Sequence, residues 1–297
     1  MYHVPVMLRE CLDALQIQED GIYVDATFGG GGHSKAILHQ LGKKGKLFAF
    51  DVDHDAKANA INDERFQLIE ANYRYLKRFL RVYNVTKVNG ILADFGISSH
   101  QIDEPARGFS TRYDAPLDMR MDTTTGISAR DVLNTYSEDQ MKKIFWNYGE
   151  IDNARSLTKK IIACRAEQPI NSTKELVKIA RPFAKGKEVK YLSQVFQAIR
   201  IEVNDELNAI RDFLEQSEDV LDKGGRLVVM SYHSLEDRPV KNFMRYGVFE
   251  GVPEKDIYGN FEHHLKVITK KPIQANAEEL ERNPRARSAR LRVAEKL

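Results

Sequence analysis

Over the first hundred residues, short apolar runs alternate with amphipathic stretches. Ile22 to Val24, Leu47 to Phe50, Phe66 to Ile69 and Gly90 to Ala93 read as strands, and the segments near Ser34 to Leu41, Ala56 to Ala60 and Tyr73 to Val82 read as helices. Strand and helix in strict alternation predict an α/β fold with a doubly wound parallel sheet. Near Phe109 the alternation stops. From there to Val203 a polar, arginine-bearing loop gives way to helical patterns at Ser137 to Asn147, Ala154 to Ala166 and Thr173 to Ala180, with no good strand among them. The pattern predicts a helical domain over 110–203, inserted into a sheet domain made of 1–109 and 204–297. A Gly224-Gly225 turn then opens the strongest strand, Arg226 to Met230, and a helix follows near Glu236 to Arg245. Two late extended pieces, Leu265 to Thr269 and Ala289 to Ala294, suit an antiparallel finish.

The first strand runs into Asp25-Ala26-Thr27-Phe28-Gly29-Gly30-Gly31-Gly32-His33-Ser34, a glycine-packed turn that opens a helix. Glycines there permit positive φ and let backbone amides approach a ligand, while the helix N-terminus offers partial positive charge. The next strand ends in Asp51, positioned to accept both ribose hydroxyls of a nucleotide-like cofactor. Glycines and acid alone do not choose between a nicotinamide and an adenosyl cofactor. The turn lacks the Gly-Lys-Ser/Thr ending of a phosphate-binding loop, which argues against ATP or GTP hydrolysis. Asp94-Phe95-Gly96 spells a protein-kinase triplet, but no His-Arg-Asp loop or strand lysine accompanies it.

Ligands of such sheets bind beyond the carboxyl ends of the strands. Four ends carry polar chemistry: Asp25 with the glycine turn, Asp51, Asp94, and Ser231-Tyr232-His233-Ser234. Singly each is ordinary, since a strand-end Asp often caps a helix. Their convergence on one crevice is not.

Composition adds bounds. A chain of 297 residues that is 42% hydrophobic can bury a large core. Its two cysteines, Cys11 and Cys164, have no paired spacing, so a disulfide framework or a metal site is not expected and a cytoplasmic setting is. The N-terminal residues lack the features of a signal peptide, and no apolar run is long enough to span a membrane. The formal net charge of +2 gives no global pull on nucleic acid. Positive charge is concentrated late, however: Arg282 to Arg292 holds five arginines in eleven residues and no acid, a density that suits phosphate contacts or, equally, a guarded strand edge.

The chain resembles the bacterial S-adenosylmethionine-dependent 16S rRNA (cytosine-N4)-methyltransferase family, RsmH or MraW. The resemblance runs from His3-Val4-Pro5-Val6 to the carboxyl end. Its most specific blocks are Asp25 to Ser34, Asp94 to Ser99, Arg107 to Ser110, Pro116 to Asp122, Phe196 to Ile201, Ser231 to Arg238 and Asn283 to Ser288, all in order. It implies a Rossmann-like class I methyltransferase sheet with an inserted helical domain that recognises RNA. The implied reaction is methyl transfer to the N4 amine of a decoding-site cytosine, on 16S rRNA or the assembled small ribosomal subunit.

By the same resemblance, Gly31, Gly32 and His33 contact the cofactor, Asp51 its ribose, Tyr73 the adenine region, and Asp94 and Gln101 the remaining polar edges. Many amine methyltransferases follow the fourth strand with an acidic or amide residue and then Pro-Pro-aromatic; here Asp94-Phe95-Gly96-Ile97 keeps only the acid. Asp94 is therefore expected at the boundary between the methionine moiety and the target amine, with His233, Ser231 and Ser234 lining the cytosine pocket. Arg107, Phe109, Arg112 and Arg120 are expected to form an RNA-binding wall, with Arg285, Arg287 and Arg290 gripping phosphate. The competing expectation is that Pro116 to Asp122 is an internally hydrogen-bonded loop. The chain departs from the family at Tyr73, usually Phe, and at Lys190 to Gln194, where many members carry His-Pro-Ala. Two other classes stay in view: a nicotinamide oxidoreductase, which predicts NAD binding, and a catalytically silent ribosome-assembly factor.

Overall fold

A computed structural model describes residues 5–251, 253 and 264–297. His3 and Val4 of the N-terminal block lie outside them. The chain divides into two compact units, Met1–Gly96 with Leu207–Leu297, and Ile97–Glu206.

In the first unit α1 (Leu8–Leu15) precedes β1 (Ile22–Asp25), α2 (Gly32–Gln40), β2 (Lys46–Asp51), β3 (Phe66–Glu70), α3 (Leu76–Val82) and β4 (Val88–Asp94). The helix expected from Ser34 begins two residues earlier, because Gly31 adopts the left-handed conformation that starts it. The stretch expected as a helix at 56–60 is only a 3-10 turn, His54–Asn59, capped by the Asp53 side chain.

The second unit contains α4 (Ser99–Asp103), α5 (Ala129–Thr135), α6 (Glu138–Asn147), α7 (Ala154–Glu167), α8 (Thr173–Ala180) and α9 (Glu188–Asn204). Four of these helices start with capping boxes in which a serine, Ser98, Ser128, Ser137 or Ser172, exchanges hydrogen bonds with the residue three positions on. Phe109, Leu117, Met119, Leu133, Phe145, Leu157, Leu176 and Phe196 form its own apolar core. The unit starts at Ile97 rather than 110. Arg107 donates from its guanidinium to the carbonyl oxygens of Arg120 and Met121, both at 3.0 Å, and so ties the segment before residue 110 to the helical core.

The chain then returns to the first unit through α10 (Glu206–Val220), β5 (Leu221–Ser231), α11 (Ser234–Tyr246), β6 (Leu265–Val267), α12 (Ala277–Arg282) and β7 (Arg290–Lys296). One seven-stranded sheet results, in the order β3-β2-β1-β4-β5-β7-β6. β1 to β5 pair in parallel, while β7 runs antiparallel to both β5 and β6, which is the antiparallel finish expected. The middle stretches of the central strands are apolar because both sheet faces are covered. Strand order reverses between β1 and β4, so the crevice beyond their carboxyl ends is the natural ligand position. No helix among the described residues is long and apolar enough to cross a membrane.

The antiparallel edge is locked by a buried ion pair. Arg292 on β7 donates from Nε and from its terminal guanidinium nitrogen to the two carboxylate oxygens of Asp237 on α11, at 2.6 and 3.0 Å, and both residues are 7% exposed. Removing one partner strands the other charge in the interior. Asp237→Ala is expected to lower stability by about 3–5 kcal/mol. Urea unfolding checks this, and an unchanged midpoint would show that the pair contributes nothing.

Candidate active site

The glycine turn is held by its neighbours on both sides. Ala26 donates its amide to Leu92 O on β4 (2.8 Å) and Phe28 donates to Phe50 O on β2 (2.9 Å), so the loop sits across the top of three adjacent strands. Asp25, 1% exposed, accepts from Ser34 Oγ at 2.7 Å, which fastens the first turn of α2 to the end of β1. Gly29 and Gly31 have φ of 51° and 72°, which side-chain-bearing residues rarely adopt. Gly32 is required for space: a Cβ there would lie 2.2 Å from Pro5 Cγ. On the other side, nothing lies within 4 Å of a Cβ built on Gly29 or Gly30, so the loop presents bare backbone to open space. α2 starts at Gly32, and its N-cap residue Gly31 offers no side-chain cap, leaving its first amides available to an anion.

Asp51 closes the far side. Its Oδ2 accepts from Gly29 N at 2.7 Å and its Oδ1 from Asp53 N at 2.8 Å. An ionised carboxylate has about four acceptor sites, so both oxygens keep a lone pair for further donors. Burial raises its pKa to about 6, against the pull of those two amides. Tyr73 follows β3 on a 3-10 turn; its half-buried ring packs 5.6 Å from Phe95 and edge-on to Phe213 at 5.3 Å. His33, 7% exposed, brings Nε2 within 3.1 Å of Val6 O.

Asp94 ends β4, beside Asp25 on β1. Its amide donates to Thr27 Oγ1 at 2.7 Å, and its Oδ1 accepts from the Tyr232 hydroxyl at 2.7 Å. Oδ2 makes no hydrogen bond among the described residues. Burial pushes the Asp94 pKa up to about 6; His33 and the Tyr232 hydroxyl oppose that rise, and Asp25 and Glu236 add to it. At the end of β5, Ser231 is 1% exposed and its Oγ has no hydrogen-bond partner among the described residues. His233 is the N-cap residue of α11, with Nε2 3.1 Å from Glu236 Oε1. Ser234 is the first residue of that helix.

Asp25, Asp51, Asp94 and Ser231 thus stand at the ends of adjacent strands. Three further groups lie within stretches the sequence singled out but receive no role there: Thr27, Tyr232 and the fully buried Glu236. Only Glu236 leaves a trace, a carboxylate three residues after a helix N-cap, the spacing of a capping box. Gln101 belongs to the second unit, where its Oε1 accepts from Ser98 N at 3.0 Å and closes the cap of α4.

Two of the four residues of the expected RNA wall are interior. Phe109 is 7% exposed and part of the helical core, and Arg107, equally buried, donates from a terminal guanidinium nitrogen to two carbonyls, so neither side chain presents a surface to RNA. Arg120 is held in a two-point ion pair by Asp118, with Nε to Oδ1 at 2.7 Å and the second nitrogen to Oδ2 at 2.9 Å, which is the internally bonded loop. Arg112 is exposed, as are Arg285 and Arg287. Arg290 is half-buried and pairs with Asp237 at 3.3 Å.

Comparison with known proteins gives one consistent result. The profile of the MraW methylase family matches residues 1–297. Ribosomal RNA small subunit methyltransferase H of Cytophaga hutchinsonii is 56% identical over 299 residues, covering 100% of both chains. The protein of that name from Christiangramia forsetii is 54% identical over 297 residues, 100% of this chain and 98% of the relative. That of Bacteroides fragilis is 49% identical over 296 residues, 99% of this chain and 97% of the relative.

Proposed function

Because this chain belongs to the MraW methylase family, we propose that it transfers a methyl group from S-adenosylmethionine to the exocyclic N4 amine of a decoding-site cytosine in 16S rRNA, on the assembled small ribosomal subunit of the cytoplasm. The observation that carries the reading is the set of strand-end acceptors around bare glycine backbone, above all the Asp94 Oδ2 that no described group satisfies.

The donor set fits an adenosyl amino acid. The uncapped start of α2 and the open side of Gly29 and Gly30 suit a carboxylate and the chain that bears it. Asp51 retains acceptors for the ribose hydroxyls, and Tyr73 supplies an aromatic face for adenine. Bound there, S-adenosylmethionine supplies a methyl group on a positively charged sulfur, already activated for displacement. The protein has to aim the acceptor and dispose of a proton. Cytosine N4 is a poor nucleophile because its lone pair is delocalised into the ring, so orientation and proton acceptance are what the site must add. Asp94 Oδ2 accepts a hydrogen bond from the amine and takes up the proton it sheds. Ser231 Oγ and His233, at the neighbouring strand end, line the pocket for the base.

The cytosine has to leave its stack to reach that crevice, at a cost of a few kcal/mol. Of the arginines expected to bind RNA, Arg112, Arg285 and Arg287 are exposed and able to hold RNA phosphates meanwhile, and the helical unit supplies the recognition surface. Titration calorimetry tests the cofactor half against the nicotinamide reading. S-adenosylmethionine and its demethylated product should bind with one site per chain, and NAD should not. Saturable NAD binding without S-adenosylmethionine binding overturns the proposal.

A further inference from the structure

Beyond β5 a buried carboxylate organises the turn that faces Asp94. Glu236 is wholly inaccessible to solvent, its Oε2 accepts from Tyr232 N at 2.7 Å, and its Oε1 lies 3.1 Å from His233 Nε2. Tyr232 is thereby fixed by its backbone at one end, and at the other its hydroxyl donates to Asp94 Oδ1 at 2.7 Å. The amide of Asp94 is held separately, by Thr27 Oγ1 at 2.7 Å. Backbone and one carboxylate oxygen of Asp94 are therefore each tethered, and one oxygen is left over.

We propose that Tyr232 is a positioning residue for methyl transfer: its hydroxyl, steadied by Glu236, occupies Asp94 Oδ1 so that Oδ2 alone is presented to the acceptor amine. This rests on the reading of Asp94 as the group that meets the amine. A carboxylate free to rotate would offer either oxygen in a range of directions, and proton acceptance depends on direction as well as reach. The tether also favours the ionised form, because a hydroxyl donates to a carboxylate and gains less from a carboxylic acid. Burial and then the nearby Asp94 raise the Tyr232 pKa well above its ordinary value, so the phenol remains a donor throughout the working range. The other ionisable groups around Asp94 are His33 on α2, Asp25 on β1, Glu236 on α11 and Cys11 on α1.

Tyr232→Phe removes the hydroxyl and little else. Carbon-13 NMR of the aspartate carboxyl groups, with Asp94 assigned by its absence in Asp94→Asn, reads the titration directly in the whole protein and requires no turnover. The Asp94 pKa should rise by about one unit in the Phe variant. In the methyl-transfer assay kcat should fall by about tenfold or more with the cofactor KM unchanged, and the acid limb of the pH profile should move to higher pH. An unmoved Asp94 titration and a pH profile of unchanged shape would overturn the role of Tyr232, even if overall activity or thermal stability dropped. The function reading fails differently: wild-type protein would transfer no methyl to RNA whatever the NMR titration shows.

Discussion

Asp94→Asn is expected to retain cofactor binding and to lose about 10²- to 10⁴-fold in methyl transfer, the range for removing a positioned general base. The substitution keeps the shape of the side chain, and its amide oxygen can still accept from the Tyr232 hydroxyl that now meets Oδ1. What it loses is the negative charge and the capacity to take a proton: the nitrogen replacing Oδ2 would present two donors to an amine that is itself a donor. The wild-type profile carries the same signature. Burial places the Asp94 pKa at about 6, so activity should fall as pH drops through about 6 and the carboxylate is neutralised. Single-turnover kinetics on RNA substrate measure both effects, and an asparagine variant that methylates at the normal rate removes Asp94 from the chemistry.

Asp51→Ala should raise the Kd for S-adenosylmethionine by about 10²-fold or more, since hydrogen bonds to a charged acceptor contribute about 1.5–3 kcal/mol each. The loss has two sources. The ribose hydroxyls lose their acceptor, and Gly29 loses the 2.7 Å anchor that holds the glycine turn to the end of β2. Protonation should imitate the mutation. With the pKa raised by burial to about 6 in the free protein, the ribose needs the ionised form, so affinity weakens as pH falls through about 6 and binding below that pH releases a proton. Calorimetry in buffers of different ionisation enthalpy measures the release. A Kd within twofold of wild type for the alanine variant would mean that the ribose is held elsewhere.

The parts of the site that sequence made legible are those where chain order and spatial order coincide. Parallel strands buried on both faces leave unbroken apolar runs, so the polar residues that end them, Asp25, Asp51, Asp94 and Ser231, stand out as strand ends and hence as neighbours. The glycine turn is legible for the same reason, being the one place where a strand passes into a helix without side chains. Tyr232 is not, because its role depends on a contact with a residue 138 positions away that no periodicity encodes.

Arg107 and Phe109 mislead in the opposite sense. An arginine and an aromatic beside a loop suggest a surface, yet the carbonyls of Arg120 and Met121 give the guanidinium partners and the helical core takes the ring. The start of the second unit is obscured by the shortness of α4, five residues with too few apolar positions to form a helical stripe. On β7, Arg290 and Arg292 are two positions apart and so share a face, and both lie against Asp237, while Arg285 and Arg287, before the strand, stay exposed.

The central claim is the identity of the acceptor atom. Small ribosomal subunits lacking their own decoding-site N4 mark should be incubated with the protein and S-adenosylmethionine carrying a labelled methyl, and the RNA then digested and its nucleosides identified by mass. The account predicts label in N4-methylcytidine at one decoding-site position of 16S rRNA. Label in any other nucleoside, or none despite measurable cofactor binding, would contradict it.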